Sequence, residues 1–238
     1  MVSLELADEL EISAGDRIEV LDEVDWDRPD ARRALAPVPG GADNLVARAL
    51  AAVGRRADVR LRKRIPHGGG LGGGSSDAAA ILRWAGRTEA DLAVALGADV
   101  PFCVQGGRAM VTGIGEVIEP LDAEPLAFVL VTPDIAVSTA AVYAAFDELG
   151  AGDRSLEHND LERAAVAVAP ELVRVRDVVS EAAGIRAQIA GSGSTFFVEC
   201  AAEDLDALAA DVAAAARAAL RCACVSATRA SSPSFGAT

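Results

Sequence analysis

A run of glycine is the feature that most constrains how this chain can fold. Six of the seven residues from 68 to 74 are glycine, Leu71 is the exception, and Ser75 and Ser76 follow directly. Glycine loses more backbone entropy on ordering than any other residue, so a folded protein keeps such a run where the bare backbone itself is needed. The alternating segment 58–65 predicts a strand before the run, and the alanine-rich segment after it predicts a helix capped by Ser75 or Ser76.

The residues leave several interpretations of this loop. A P-loop needs a lysine directly after its last glycine, but the chain's only lysine, Lys63, comes before the run. Gly68, Gly70 and Gly73 satisfy the dinucleotide pattern G-x-G-x-x-G, yet the preceding strand alternates charged and apolar residues, whereas a central parallel strand is apolar on both faces. A flexible linker would not lead into a capped helix. The pattern favours an anion-binding loop, in which backbone N–H groups and a helix N-terminus hold a phosphate.

Composition excludes several classes of partner. The formal net charge of −14 argues against binding to nucleic acid, which depends on lysine and arginine. The acidic N-terminus has no signal-peptide pattern, and no stretch of apolar residues predicts a membrane span. The four cysteines form no C-x-x-C pair and are expected to be buried thiols in a reducing compartment. We therefore expect a cytoplasmic protein that acts on a small molecule, and the sequence does not indicate its oligomeric state.

The order of predicted elements divides the chain into two domains of the α+β class. Strands and helices mix without a regular strand–helix–strand rhythm, which argues against a doubly wound parallel sheet. The apolar pattern starts afresh near residue 120, so we predict an N-terminal domain over 1–120 and a C-terminal domain over 121–238. The second domain follows the order β-α-α-β-β-α-β, and a loose tail begins at about residue 230.

Three local predictions bear on the site. The segment "VPFCVQGGRAMVTG" predicts a β-hairpin that turns at Gly106 and Gly107, with Asp99 directly before its first strand. The segment "STAAVYAAFDELG" predicts a helix that begins at Ser138. Pro170 predicts a break in the helical pattern that follows "NDLE", and leaves open one long helix or two.

The extended motif "KRIPHGGGLGGGSSDAA" resembles the nucleotide-binding motif of the GHMP kinase superfamily. Five further segments agree with that superfamily in order and spacing: "DNLVARA", "LGADVPFCVQGGRAMVTGIGE", "TPDIAVSTAAVY", "NDLE" and "AGSGSTFF". The resemblance covers the chain from Ser3 to about Cys224. It implies an N-terminal ATP-binding domain with a mixed or antiparallel sheet and helices, and a C-terminal ferredoxin-like α/β sandwich.

The same resemblance implies an activity and its cofactors. GHMP kinases transfer the γ-phosphoryl group of ATP, with Mg²⁺, to a small-molecule alcohol. The "GADVPF" segment is similar to the branch that phosphorylates 4-diphosphocytidyl-2-C-methyl-D-erythritol in the non-mevalonate route to isoprenoid precursors. Another GHMP kinase, of the mevalonate or homoserine type, and a degenerate module that only binds the nucleotide are the alternatives.

The resemblance also implies site residues. Asp99 would be the catalytic carboxylate that accepts or orients the hydroxyl proton, although its neighbours alone suggest an ordinary turn aspartate. Thr139 and Tyr143 would contact the substrate, with Tyr143 stacked on cytosine or, alternatively, packed in the core. His67 would line the nucleotide or serve as a spacer. The ATP-binding residues would be Pro66, His67, Gly68, Gly69, Gly70, Leu71, Gly72, Gly73, Gly74, Ser75 and Ser76.

Several polar residues near these motifs are left with two interpretations each. Lys63 and Arg64 either assist a phosphate or are exposed strand charges. Ser192 and Ser194 either approach the phosphates or belong to a plain tight turn. His158 is expected to be a surface residue, and the metal ligands cannot be assigned from the sequence.

The sequence departs from the family at its start. The family normally opens with "P-A-K-[IV]-N-L", whose lysine assists catalysis, and then "G-Y-H", whose Tyr-His pair holds the cytosine; neither motif occurs here. We expect that an upstream segment carries them in the full gene product, and that the chain as given has weak or no kinase activity.

Overall fold

The computed structural model describes residues 1–28, 34–35, 38–39, 41–150 and 159–231. Within these ranges the chain forms nine strands and eight α-helices. The strands are β1 (Glu9–Ser13), β2 (Ile18–Asp22), β3 (Asp58–Lys63), β4 (Ala109–Thr112), β5 (Val117–Pro120), β6 (Ala127–Pro133), β7 (Gln188–Ile189), β8 (Phe196–Cys200) and β9 (Ala223–Arg229). The helices are α1 (Leu45–Ala52), α2 (Gly73–Ala85), α3 (Ala90–Leu96), α4 (Val100–Gln105), α5 (Thr139–Leu149), α6 (Glu162–Val168), α7 (Leu172–Ala183) and α8 (Leu205–Ala219). His158 and the end of the predicted tail lie outside the described residues.

A mixed three-stranded sheet in the order β1-β3-β2 begins the first domain. The central strand β3 runs antiparallel to β1 and parallel to β2. Its side chains alternate as the sequence predicts, because Val59 and Leu61 are buried whereas Arg60 and Arg62 form ion pairs with glutamates of the neighbouring strands. Exposed ion pairs add little stability, so burial of the apolar face sets the strand's orientation.

Helices α1 to α4 pack on the apolar face of this sheet. Buried side chains of all four helices and of β3 form one cluster, which includes Val46, Leu50, Leu61, Ile81, Leu82, Leu96 and Val100. Helix α2 packs against both α1 and α4. This arrangement places the glycine run, which leads into α2, beside Asp99, which directly precedes α4.

The second domain is a four-stranded antiparallel sheet in the order β7-β8-β6-β9, covered on one face by helices. All seven residues of β6 are buried, as expected for the apolar segment that forms a central strand. The order of elements and of strands is that of a ferredoxin-like sandwich, which confirms the predicted fold class. Pro170 separates α6 from α7, so the helical pattern forms two helices.

The first residues of the chain connect the two domains. The backbone N–H of Ser3 donates to the Gly107 carbonyl at 2.7 Å, and the N–H of Glu5 donates to the Arg229 carbonyl at 2.9 Å. The N–H of Ser231 returns a bond to the Ser3 carbonyl at 2.8 Å. This segment therefore lies between strand β4 of the first domain and strand β9 of the second.

Two local predictions were wrong. The segment after Asp99 forms helix α4 rather than the first strand of a hairpin, because Pro101 is tolerated in a helix's first turn and Gly106, with φ +71°, ends the helix. The observed hairpin joins β4 to β5 instead. Helix α2 begins at Gly73, with Gly72 as its N-cap, so the two serines lie inside the first turn rather than capping it. In the ranges described above, the longest apolar helix is too short to cross a bilayer.

Candidate active site

The glycine loop uses its glycines for backbone conformation and for close approach. Gly68, Gly70 and Gly72 have φ values of +75°, +79° and +68°, in the left-handed region that glycine adopts without steric cost. A Cβ atom built on Gly70 would lie 2.5 Å from the carbonyl oxygen of Ala190 and 2.7 Å from that of Gly193. A side chain at position 70 therefore collides with the backbone of the second domain.

The start of helix α2 is open to an anion. Its N-cap, Gly72, supplies no side-chain hydrogen bond, and no acidic residue lies in the first turn. The Ser76 hydroxyl donates to the Gly73 carbonyl at 2.9 Å, so it does not cap the first amides either. The amide groups of the first turn have no partner within the helix and lie at the positive end of its dipole. Such a helix start binds phosphate well.

A buried ion cluster lies beneath the loop. The Lys63 ammonium donates to the carboxylates of Asp8 and Asp77, and the Nζ–Oδ2 distance to Asp77 is 2.7 Å. All three side chains are almost fully buried. Asp8 also accepts the backbone N–H groups of Arg64 and Ile65, at 2.7 and 2.9 Å. The cluster ties the end of β3, where the loop begins, to the first turns of α2, where the loop ends.

This geometry tests one of the two interpretations of Lys63 and Arg64, that they are exposed strand charges. Lys63 is 2% exposed and fully engaged by carboxylates, so the interpretation as an exposed strand charge was wrong for it. Arg64 is exposed and pairs with Glu9 at 2.9 Å, as that interpretation predicts.

Burial raises the pKa of Asp77 to about 7, although the Lys63 charge opposes the shift. His67 is half-buried in the loop, and its pKa is lowered by burial and then by the Lys63 charge.

Asp99 lies beside the glycine loop. It is the N-cap residue of α4, and its Oδ2 atom is 3.9 Å from the position that a Cβ of Gly72 would occupy. The side chain is exposed to the cavity that the loop also lines, and the loss of hydration beside the surrounding protein raises the pKa of its carboxyl above the ordinary value. An acid with a raised pKa in a cleft is a candidate for proton transfer.

A cavity of about 770 Å³ joins these features. The first domain lines it with the glycine loop, α2 and α4, and the second domain lines it with β6, β8 and the loop after β7. Residues 1–7 close one side. Arg83, on α2, lines the cavity and donates to the Cys103 carbonyl of α4 at 2.6 Å, so it ties together the two helices that carry the loop and Asp99. Burial raises the pKa of the Cys103 thiol to about 12, which keeps it protonated.

A second loop, residues 190–195, supports the glycine loop from the other domain. The backbone N–H of Thr195 donates to the Gly69 carbonyl at 3.1 Å. The hydroxyls of Thr195 and Thr132 share a hydrogen bond of 2.7 Å, and those of Ser192 and Thr139 share one of 3.0 Å. The first of these contacts joins the two loops, and the other two anchor the second loop to β6 and to the start of α5.

Comparisons with known proteins agree with this arrangement. The families described as "GHMP kinases N terminal domain" and "GHMP kinases C terminal" match residues 44–107 and 141–222. A 4-diphosphocytidyl-2-C-methyl-D-erythritol kinase from a Nocardioides species is 37% identical over 230 residues, covering 80% of this chain and 75% of the relative. This chain belongs to the GHMP kinase family. A kinase of the same name from Pelotomaculum thermopropionicum is 40% identical, covering 68% of this chain and 69% of the relative.

Solved structures of GHMP kinases extend the comparison. A crystal structure of 4-(cytidine 5'-diphospho)-2C-methyl-D-erythritol kinase superposes with a TM-score of 0.68 at 33% identity, covering 96% of this chain and 88% of that one. A structure described as a homoserine kinase from Listeria monocytogenes superposes with a TM-score of 0.61 at 18% identity and shares the fold. The chain is thus an ATP-dependent small-molecule kinase of this family, and the recognition made from its motifs is confirmed.

The structure gathers most of the predicted site residues of this GHMP kinase but not all. The loop Pro66–Ser76 and Asp99 lie together, whereas Thr139 and Tyr143 are absent from the described residues that line the cavity. Thr139 contacts the second loop through its hydrogen bond with Ser192. Tyr143, one turn further along α5, is 53% exposed, so the alternative that it packs in the core was wrong. A role for it in substrate binding stays a prediction.

The two serines of the second loop lie at different depths. Ser192 contacts Thr139, while Ser194 is completely buried and its hydroxyl has no hydrogen-bond partner among the described residues. Sequence reasoning missed Asp8, Asp77 and Asn159, which hold the two loops in place. A signal for Asn159 was present, because "NDLE" resembles a family motif.

Proposed function

We propose that this chain transfers the γ-phosphoryl group of ATP to a hydroxyl of 4-diphosphocytidyl-2-C-methyl-D-erythritol. The observation that carries the proposal is the meeting of a phosphate-binding loop and a carboxylate in one cavity, with 3.9 Å between Asp99 Oδ2 and the Cβ position of Gly72. The relatives that match this chain are kinases named for that alcohol. A cytoplasmic location goes with this function as a prediction.

The glycine loop would hold the polyphosphate. Because Gly70, Leu71 and Gly72 line the cavity and two of them carry no side chain, phosphate oxygens can approach the backbone N–H groups directly. The open first turn of α2 would add its amides and its dipole. Phosphoryl transfer depends mainly on positioning and on stabilising charge, and this loop supplies both.

Asp99 would act on the alcohol. A carboxylate beside the phosphate-binding loop can accept or orient the proton of the attacking hydroxyl. Its raised pKa makes it a better proton acceptor than an ordinary aspartate. Thr139 and Tyr143 would contact the substrate at the edge of the site, and Tyr143 offers an exposed ring on which cytosine can stack.

The Mg²⁺ that kinases of this kind use would enter with ATP. Among the described residues no group of three or more histidine, cysteine or acidic side chains is placed to bind a metal ion. Mg²⁺ keeps several waters and is held mainly by substrate phosphates in such sites, which fits a site poor in protein ligands. The Ser76 hydroxyl, which lines the cavity, would hold a phosphate oxygen or a metal-bound water.

A coupled assay tests the proposal. The chain is incubated with ATP, MgCl₂ and one of three alcohols, the cytidylyl methylerythritol, mevalonate or homoserine, and ADP release is followed. We expect turnover with the cytidylyl alcohol, weak as the absence of the "P-A-K-[IV]-N-L" motif predicts it to be, at least tenfold above turnover with the other two. Faster turnover with mevalonate or homoserine would reassign the substrate. ATP binding by calorimetry without transfer to any of the three would identify a nucleotide-binding module instead.

A further inference from the structure

We propose that Asn159 is a positioning residue of this kinase, which fixes the second loop so that this loop shapes the glycine loop for ATP. The inference rests on the proposed function. Asn159 opens the "NDLE" segment and is absent from the described residues that line the cavity. Both Nδ2 protons and the Oδ1 atom of its amide bond to backbone groups, so it acts through other residues rather than by touching the reactants.

The Asn159 amide makes three hydrogen bonds at the base of the second loop. Its Nδ2 group donates to the carbonyl of Ile189 at 3.0 Å and to the carbonyl of Gly191 at 2.8 Å. Its Oδ1 atom accepts the backbone N–H of Leu161 at 2.9 Å. The two carbonyls flank the point where the chain leaves β7, and the third bond anchors the amide to the start of α6. One side chain thus connects a helix start to the beginning of the loop.

Few side chains can replace this amide. The position needs two N–H donors and one acceptor on a single flat group, which only asparagine and the longer glutamine provide. An aspartate has the same shape but would place carboxylate oxygens against two carbonyl oxygens. An alanine would leave both carbonyls and the Leu161 N–H without their side-chain partner, and the loss is costly where burial keeps water out, as at Ile189.

The second loop in turn limits the shape of the glycine loop. Besides the bond from Thr195 to Gly69, a Cβ on Gly70 would lie 2.5 Å from the Ala190 carbonyl, so the two backbones are already in close contact. A Cβ on Gly191 would lie 3.5 Å from the Gly70 carbonyl. A shift of the second loop must therefore move Gly69 and Gly70, whose neighbours present the amides to the phosphates.

The test compares Asn159→Asp with wild type and with Gln188→Glu. The control makes the same amide-to-acid change on β7, close to the loop, in a side chain that makes none of these three bonds. We expect N159D to weaken binding of a non-hydrolysable ATP analogue by about tenfold or more, measured by calorimetry. The KM for ATP should rise in parallel, while the KM for the cytidylyl alcohol and the binding by Q188E should stay within about twofold of wild type.

Two further measurements keep the outcomes distinct. Asn159→Ala adds no charge, so it should show the same selective loss for ATP, and it replaces N159D if that variant does not fold. ATP affinity within about twofold of wild type in either folded variant overturns the inference, and so does an equal loss for both substrates. A wild-type chain that binds ATP but transfers nothing to the cytidylyl alcohol refutes the proposed function alone, because the ATP affinities of the variants can still be compared. A wild-type chain that binds no ATP overturns both the proposed function and the role of Asn159.

Discussion

Replacing Gly70 by alanine tests how closely the two loops fit. The residue has φ +79°, where an L-residue with a Cβ costs about 1–2 kcal/mol. The new Cβ would also lie 2.5 and 2.7 Å from two carbonyl oxygens of the second loop. Both contacts are to backbone atoms, so relief requires a movement of one loop, and overpacking of this kind costs about 1–3 kcal/mol. We therefore expect a total loss of about 2–5 kcal/mol in the free energy of unfolding, as the sum of the two terms.

Two further alanine variants separate the cost of a positive φ from the cost of the close contacts to the second loop. Gly86 has φ +67° and open space around its Cβ position, so Gly86→Ala carries only the backbone cost of about 1–2 kcal/mol. Gly68, with φ +75°, lies inside the glycine loop, but its Cβ would meet only a Leu35 methyl group, at an ordinary 3.8 Å. Gly68→Ala therefore controls for a change within the loop itself.

Urea unfolding and ATP affinity are measured on all three variants. G70A should lose about 1–3 kcal/mol more than G68A or G86A, and it should show the largest rise in the Kd for ATP. If G70A matches G86A in stability and G68A in ATP affinity, the second loop does not shape the glycine loop, and the reasoning from the close backbone contact is refuted.

Three further predictions concern the chemistry of the site. Asp99→Asn should lower kcat by about 10²–10⁴-fold and leave ATP affinity unchanged. Asp91→Asn, the same change at an exposed position away from the site, should leave both kcat and ATP affinity unchanged. A D99N enzyme with ordinary turnover would remove the catalytic assignment. Because the pKa of Asp77 rises from 3.8 in the unfolded chain to about 7 in the folded one, its contribution to stability is full below pH 3.8 and is lost as the pH rises through about 7. Urea unfolding between pH 5 and 8 should show this decline in the wild type, and an equal slope in Asp77→Asn would contradict it. Tyr143→Ala should raise the KM for the cytidylyl alcohol about tenfold, while Tyr143→Phe keeps it within about twofold; equal effects would argue against stacking.

The sequence predicts the purpose of the glycine loop better than its local structure. The family motif identifies the loop and Asp99, and the structure brings them together. The helix start was misplaced because serine before an apolar segment is the usual N-cap, and only the positive φ of Gly72 shows that the cap lies three residues before Ser75. The apolar segment after Asp99 suggested a strand, but Pro101 and Gly106 fit a short helix equally well.

The burial of Lys63 could have been predicted in part. Lys63 lies two residues after Leu61 and four after Val59 in β3, so the alternation of side chains along a strand already places it on the same inner face. Its partners Asp8 and Asp77 come from distant segments, and the local pattern says nothing about them. The "NDLE" motif points to Asn159, but its hydrogen-bond partners depend on how α6 packs beside β7 in the folded domain.

The bond between Thr195 and Gly69 crosses from one domain to the other, and it has a consequence for how the enzyme can fail. The N-terminal half expressed alone would retain every glycine of the motif but lack the second loop that holds them in place, so we expect it to bind nucleotide poorly. Damage to the C-terminal sheet, however far from the reacting atoms, would be detected first as weakened affinity for ATP.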